Sequence, residues 1–158
     1  MNIRIGHSTD IHQLVPNRDL ILGGIKIDFE KGLLGHSDAD ALLHAITEAI
    51  IGALGLGDIG THFPDTDKAY KNIDSKILLS NAYNLAKEKG YHINNLDATI
   101  YAEKPKMVAH IPHMRTLIAK LLETDVENIN IKATRGEKLG FIGRNEGIAC
   151  EAVVLLIK

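Results

Sequence analysis

Residues 37–54, SDADALLHAITEAIIGAL, constrain the fold more than any other stretch. Leu42, Ala45, Ile46, Ala49, Ile50 and Ala53 recur at helical spacing. Ser37 is the expected N-cap, Asp38 and Asp40 fall in the first turn, and Gly52, Gly55 and Gly57 close the element. An apolar stripe of this length has to be buried against another layer.

That layer reads as a sheet. Residues 2–14 alternate Ile3 and Ile5 against Arg4, a strand signal. Pro16 and Asn17 mark a turn, and LILGGIKI follows as a hairpin in which Gly23 and Gly24 allow a bend or a close backbone approach. Residues 58–72 are turn-rich and predict an ordered loop. A second helix starts at Asp74 or Ser75 and closes at Gly90. Residues 95–103 predict a half-buried strand. A third helix runs from Pro112 to Glu123, burying Met114, Leu117, Ile118 and Leu121. Residues 128–134 and 148–157 are the last two strands, joined by the glycine-rich loop RGEKLGFIGRNEG. The order β-β-α-α-β-α-β-β predicts an α+β fold, with helices packed on one face of a mixed β-sheet. The final strand, EAVVLLI, is apolar on both faces, which implies an oligomer interface.

The 158 residues predict one domain spanning 1–158. With 45% hydrophobic residues, 4% aromatic and no Trp, its core must be aliphatic. A net charge of −2 without blocks of like charge argues against a nucleic-acid partner or an electrostatic membrane anchor. No run of 18 apolar residues spans a membrane. The chain enters its first strand without a charged leader, and its lone cysteine, Cys150, reads as a buried thiol. A reducing, cytoplasmic setting is expected.

Asp10 and His12 are one residue apart, so an extended strand turns both to one face. His44 lies near the second turn of the first helix. Two imidazoles and a carboxylate suit zinc, and three protein ligands leave a fourth position open. A chain with eight histidines also produces accidental D-x-H pairs. Glu48 reads as a partner for the His44 imidazole or as part of a solvated helix face. His36 and Ser37 open the helix, where free N–H groups favour an anion; Ser37 reads equally as a plain cap. Asp58, Asp65 and Asp67 suit hydroxyl or metal binding, but turns are their commoner use. Glu137 fits either a second, harder cation or a surface carboxylate.

Taken together, the motifs are more specific. GHSTDIH, GLLGHSDADALLHAITEAIIGALGLGDIG, HFPDTD, AEKPKM with HIPHMR, and INIKATRGEKLGFIGRNEGIACEAVVLLI occur in collinear order over essentially the whole chain. They resemble the 2-C-methyl-D-erythritol 2,4-cyclodiphosphate synthase family, whose signature includes S-D-x-D-x-x-x-H-A. The resemblance implies a homotrimer with sheets facing inward and active sites between subunits. It implies conversion of 4-diphosphocytidyl-2-C-methyl-D-erythritol 2-phosphate to the cyclic diphosphate and CMP, in non-mevalonate isoprenoid biosynthesis.

The family's zinc ligands match Asp10, His12 and His44, with Asp10 and His12 also bordering substrate. Its anion-binding, transition-state histidine matches His36, followed by Ser37. Asp58, Ile59 and Gly60, with Phe63, Pro64, Asp65, Thr66 and Asp67, match its methylerythritol contacts. The cytidine and diphosphate segments match Ala102, Glu103, Lys104, Pro105, Lys106, Met107 and Val108, together with Thr134, Arg135, Gly136 and Glu137. Glu137 matches the ligand of a second cation, Mg²⁺ or Mn²⁺, and Phe141 and Arg144 match further substrate contacts. Arg135 departs from the pattern: many members carry there a threonine with a transition-state role. A guanidinium also donates to phosphate, and more strongly because it is charged. The residues themselves leave open a zinc phosphoesterase and a non-catalytic nucleotide or isoprenoid-phosphate binding module.

Overall fold

The computed structural model describes residues 2–158. In chain order its elements are β1 (Ile3–Pro16), β2 (Leu20–Leu22), β3 (Ile25–Ile27), β4 (Lys31–Leu33), α1 (Ala41–Ala53), α2 (Ile59–His62), α3 (Ser75–Glu88), β5 (His92–Tyr101), α4 (Ile111–Leu121), β6 (Ile129–Thr134), α5 (Gly140–Gly143) and β7 (Gly147–Ile157). Short 3-10 turns cover Lys68–Tyr70 and Val126–Asn128. Five strands form one sheet in the order β4-β1-β7-β5-β6, and β2 pairs with β3 apart from it. β5 and β6 run parallel across the α4 connection, and every other pairing in the sheet is antiparallel. The expected α+β architecture with a mixed sheet is therefore borne out.

β1 and β7 pair along eleven consecutive positions, from Ile3 opposite Ile157 to Gln13 opposite Gly147. α1 lies across these two strands and packs on α3 behind. It is more deeply buried than one stripe predicts: Leu43, Thr47 and Ile51 are covered as well as Leu42, Ala45, Ile46, Ala49 and Ile50. Such close contact leaves no room for a side chain at Gly6. A Cβ there would lie 1.8 Å from the Ala49 carbonyl oxygen.

The helix start differs from expectation. α1 begins at Ala41 and its N-cap is Asp40, whose carboxylate accepts from Leu43 N–H at 3.0 Å. Ser37 lies in the loop before it. Asp40 is fully buried and also accepts from Gly23 N–H at 2.9 Å and Gly24 N–H at 2.6 Å. These glycines form the two-residue β2–β3 turn with φ of 62° and 77°, the conformation that favours glycine. One carboxylate thus caps the helix and pins the hairpin to it. Burial pushes the carboxyl upward in pKa, against backbone N–H groups that favour its charge. Asp40→Ala orphans three backbone donors, two of them buried, at about 1–3 kcal/mol for each buried one. We expect its melting temperature to fall on the order of 10 °C, read by calorimetry; an unchanged midpoint would remove Asp40 from the framework.

The structure also sets the sense of the β1 alternation. Gly6, Ser8, Asp10 and His12 face α1, while Ile3, Ile5 and Ile11 point away and are 51%, 69% and 56% exposed. On β7, Ile157 opposite Ile3, Leu155 opposite Ile5 and Val153 opposite His7 are only partly covered. Cys150 is buried as expected, and burial raises its thiol pKa. None of the described helices is long and apolar enough to cross a membrane.

Candidate metal centre and its cavity

The inward face of β1 meets the cavity-side edge of α1 at three side chains. Asp10 Oδ2 lies 2.9 Å from His12 Nε2 and 3.0 Å from His44 Nδ1, and the two ring nitrogens are 3.2 Å apart. Tetrahedral zinc with bonds near 2.0–2.1 Å separates its ligands by about 3.3 Å. The triangle therefore fits one divalent ion with little rearrangement. Among the described residues it is the one group of histidine, cysteine and carboxylate side chains whose ligand atoms converge in this way.

The remaining ring nitrogens are engaged. His12 Nδ1 lies 2.7 Å from the Leu34 carbonyl oxygen, which can only accept, so Nδ1 carries the hydrogen and Nε2 is free to ligate. His44 Nε2 lies 2.9 Å from Ser75 Oγ and 3.0 Å from Ser37 Oγ. Burial raises the pKa of Asp10, but hydrogen bonds and positive charge from His12 and His44 outweigh it and hold the carboxyl far below the usual range. Burial lowers the pKa of His12, and its hydrogen bond to Asp10 and the charge there more than reverse this. A cation entering the triangle takes the place of those imidazole protons.

A cavity of about 350 Å³ opens over the triangle. Its lining includes Asp10, His12, His36, Ser37, His44, Ile59, Gly60, Phe63 and Asp65, all singled out in the sequence, and also Tyr70, Ile73 and Leu78, which were not. Pro64 and Thr66 belong to the same loop but not to this lining. Asp58 and Asp67 behave as turn-formers: Asp58 accepts from Thr61 N–H at 2.8 Å, and Asp67 from Ala69 N–H at 2.9 Å. His36 Nε2 reaches the Asp67 carbonyl at 3.3 Å. Since Asp40 caps α1, the expected anion site on that helix's N-terminus is not formed by His36 and Ser37; they line the cavity from the preceding loop. Glu48 contacts neither imidazole. It accepts from the Ser8 hydroxyl and from Ile59 N–H at 3.3 Å, so it braces the loop bordering the cavity.

A second cavity, of about 450 Å³, is lined by Ala102, Glu103, Pro105, Lys106, Met107, Val108, Ala133, Thr134 and Arg135. It shares no lining residue with the first. Lys104 is exposed beside it, and Glu103 accepts from Gly136 N–H at 3.1 Å. Glu137 is exposed, with φ of 50°, and lines neither cavity. Phe141 borders a shallow depression with Ile11 and His12, while Arg144 is paired with Glu146 at 2.9 Å.

A chain with this fold has known counterparts. The YgbB family profile matches residues 3–157. A 2-C-methyl-D-erythritol 2,4-cyclodiphosphate synthase from Geotalea uraniireducens is 62% identical over 154 residues, covering 98% of each chain. The bifunctional IspDF of Campylobacter jejuni superposes with a TM-score of 0.94 at 45% identity, covering 98% of this chain and 42% of that longer one. The CDP complex of Plasmodium falciparum IspF gives a TM-score of 0.87 at 38% identity, covering 99% and 96%. The chain belongs to the YgbB family. The resemblance carried by its motifs is thereby borne out.

Proposed function

We propose that the chain converts 4-diphosphocytidyl-2-C-methyl-D-erythritol 2-phosphate to 2-C-methyl-D-erythritol 2,4-cyclodiphosphate and CMP. It acts as a phosphorus–oxygen lyase of cytoplasmic non-mevalonate isoprenoid biosynthesis, with residues 1–158 forming one domain. The observation that carries this is the Asp10–His12–His44 triangle beneath a cavity bordered by His36 and Ser37, in a chain so similar to named synthases. A 2-phosphate oxygen bonds to the β-phosphorus while the bond to the CMP oxygen breaks, so the leaving oxygen departs with its electron pair. No protein nucleophile is needed, and the difficulty is charge: both reacting groups are anions. When bound, zinc at the triangle and Mg²⁺ or Mn²⁺ at Glu137 supply the positive charge that offsets it. His36 and Ser37 hold phosphate oxygens, and Asp58–Gly60 with Phe63–Asp67 enclose the methylerythritol chain. Ala102–Val108 and Thr134–Glu137 hold the cytidine and its diphosphate, with Arg135 donating to a phosphate oxygen. Phe141 and Arg144 complete the substrate contacts.

The CDP complex of the Plasmodium relative supports the nucleotide. The separation of the two cavities supports a homotrimer in which a neighbour completes each site, and the exposed Ile3, Ile5 and Ile11 support a covered sheet face. The reading needs neither nucleic acid nor membrane. Incubation with the named substrate, zinc and magnesium in ¹⁸O-water tests it. Phosphorus NMR and mass spectrometry should find CMP and a cyclic diphosphate free of solvent oxygen. Ring-free, ¹⁸O-labelled product would point instead to a metal phosphoesterase.

A further inference from the structure

Behind the metal triangle lies a second set of contacts that the reaction itself does not require. Ser75, the first residue of α3, is fully buried, 31 residues from His44 in sequence. Its Oγ lies 2.9 Å from His44 Nε2 and donates to Asp38 Oδ1. Asp38 also accepts from Ser75 N–H at 3.0 Å and Asp40 N–H at 3.1 Å. Backbone bonds from Asn72 N–H to the His36 carbonyl and from Asp38 N–H to the Ile73 carbonyl lock the two segments side by side.

The direction of these bonds follows from counting hydrogens. An ionised carboxylate has none to give, so the Ser75 hydroxyl spends its one hydrogen on Asp38. Toward His44 it can then only accept, and the hydrogen must sit on His44 Nε2. Nδ1 is left with its lone pair facing Asp10 and His12, as a metal ligand requires. Without Asp38 the hydroxyl is free to turn and donate to Nε2, which moves the hydrogen onto Nδ1 and blocks the site. Ser37 is drawn in as well. Its Oγ already accepts from Ala39 N–H at 3.1 Å, and an Nε2–H donor makes it an acceptor again. Its own hydrogen is then available to the cavity it lines.

We propose that Asp38 and Ser75 are positioning residues for metal binding: a carboxylate–hydroxyl–imidazole relay sets the tautomer of His44 and ties the start of α3 to the metal centre. This rests on the zinc reading above, and the test separates the two. Zinc dissociation constants are measured on the full chain by competition with a chromogenic chelator, for wild type, Ser75→Ala, Ser75→Thr and Asp38→Ala. Each metal-free protein is also melted. The expected result is one zinc per wild-type chain, with affinity about 10–100-fold weaker in Ser75→Ala and Asp38→Ala. Ser75→Thr, which keeps the hydroxyl, should recover most of the loss. With Co²⁺ in place of zinc, the visible ligand-field bands should shift in Ser75→Ala and return in Ser75→Thr. Wild-type affinity in both Ser75→Ala and Asp38→Ala overturns the relay alone. So does a threonine variant as weak as alanine at an unchanged melting temperature. A wild-type chain that binds no zinc overturns the metal reading and the relay with it.

Discussion

His44→Ala is expected to weaken zinc binding, and with it CMP release, by about a thousandfold or more. The substitution leaves Asp10 and His12, two ligands where a catalytic zinc site uses three. Charge stabilisation by a metal is worth several kcal/mol, and each 1.36 kcal/mol is a factor of ten in rate. The His44 side chain is 14% exposed and lines the cavity rather than the apolar core, so the fold itself should persist. Elemental analysis after dialysis, with kcat/KM for CMP release, checks both halves. Stoichiometric zinc retained by the variant would contradict the ligand assignment.

Gly6→Ala should reach the same site through the core. The new methyl would overlap the Ala49 carbonyl oxygen and approach the Ala53 Cβ to 2.9 Å, and a backbone atom cannot swing aside as a side chain can. Relief requires β1 to move off α1. β1 carries Asp10 and His12, whereas α1 carries His44, so the triangle opens as the core loosens. We expect a stability loss of at least about 3 kcal/mol by chemical denaturation, because overpacking against backbone lies at the costly end. Zinc affinity should fall in parallel. A variant that is destabilised yet binds zinc as wild type would show that the triangle does not depend on this contact.

Much of this was legible in the sequence because it rests on local periodicity. The D-x-H pair on β1 and the apolar rhythm of α1 are both visible within a dozen residues. The GG step of LILGGIKI likewise marks its hairpin. What escaped is set by tertiary contacts. Ser37, Asp38 and Asp40 are all competent N-caps, and the choice of Asp40 depends on Gly23 and Gly24 arriving beside it. Alternation showed that β1 has two faces but not which one α1 covers; Ile3 and Ile5 turn out to lie on the uncovered one. Glu48 is one turn from His44 on the same helix, yet its carboxylate goes to Ser8 and Ile59. Ser75 carried no signal beyond marking a helix start, because its partner His44 lies on another helix.

The two separate cavities also bear on how damage spreads. If each site joins the metal cavity of one chain to the nucleotide cavity of its neighbour, a ring of three chains has three sites and six half-sites. A chain faulty in one cavity silences a single site. A misfolded chain that still assembles silences two, leaving the ring a third of its capacity. The proportion of faulty subunits and the activity lost would then differ, and the type of lesion would decide by how much.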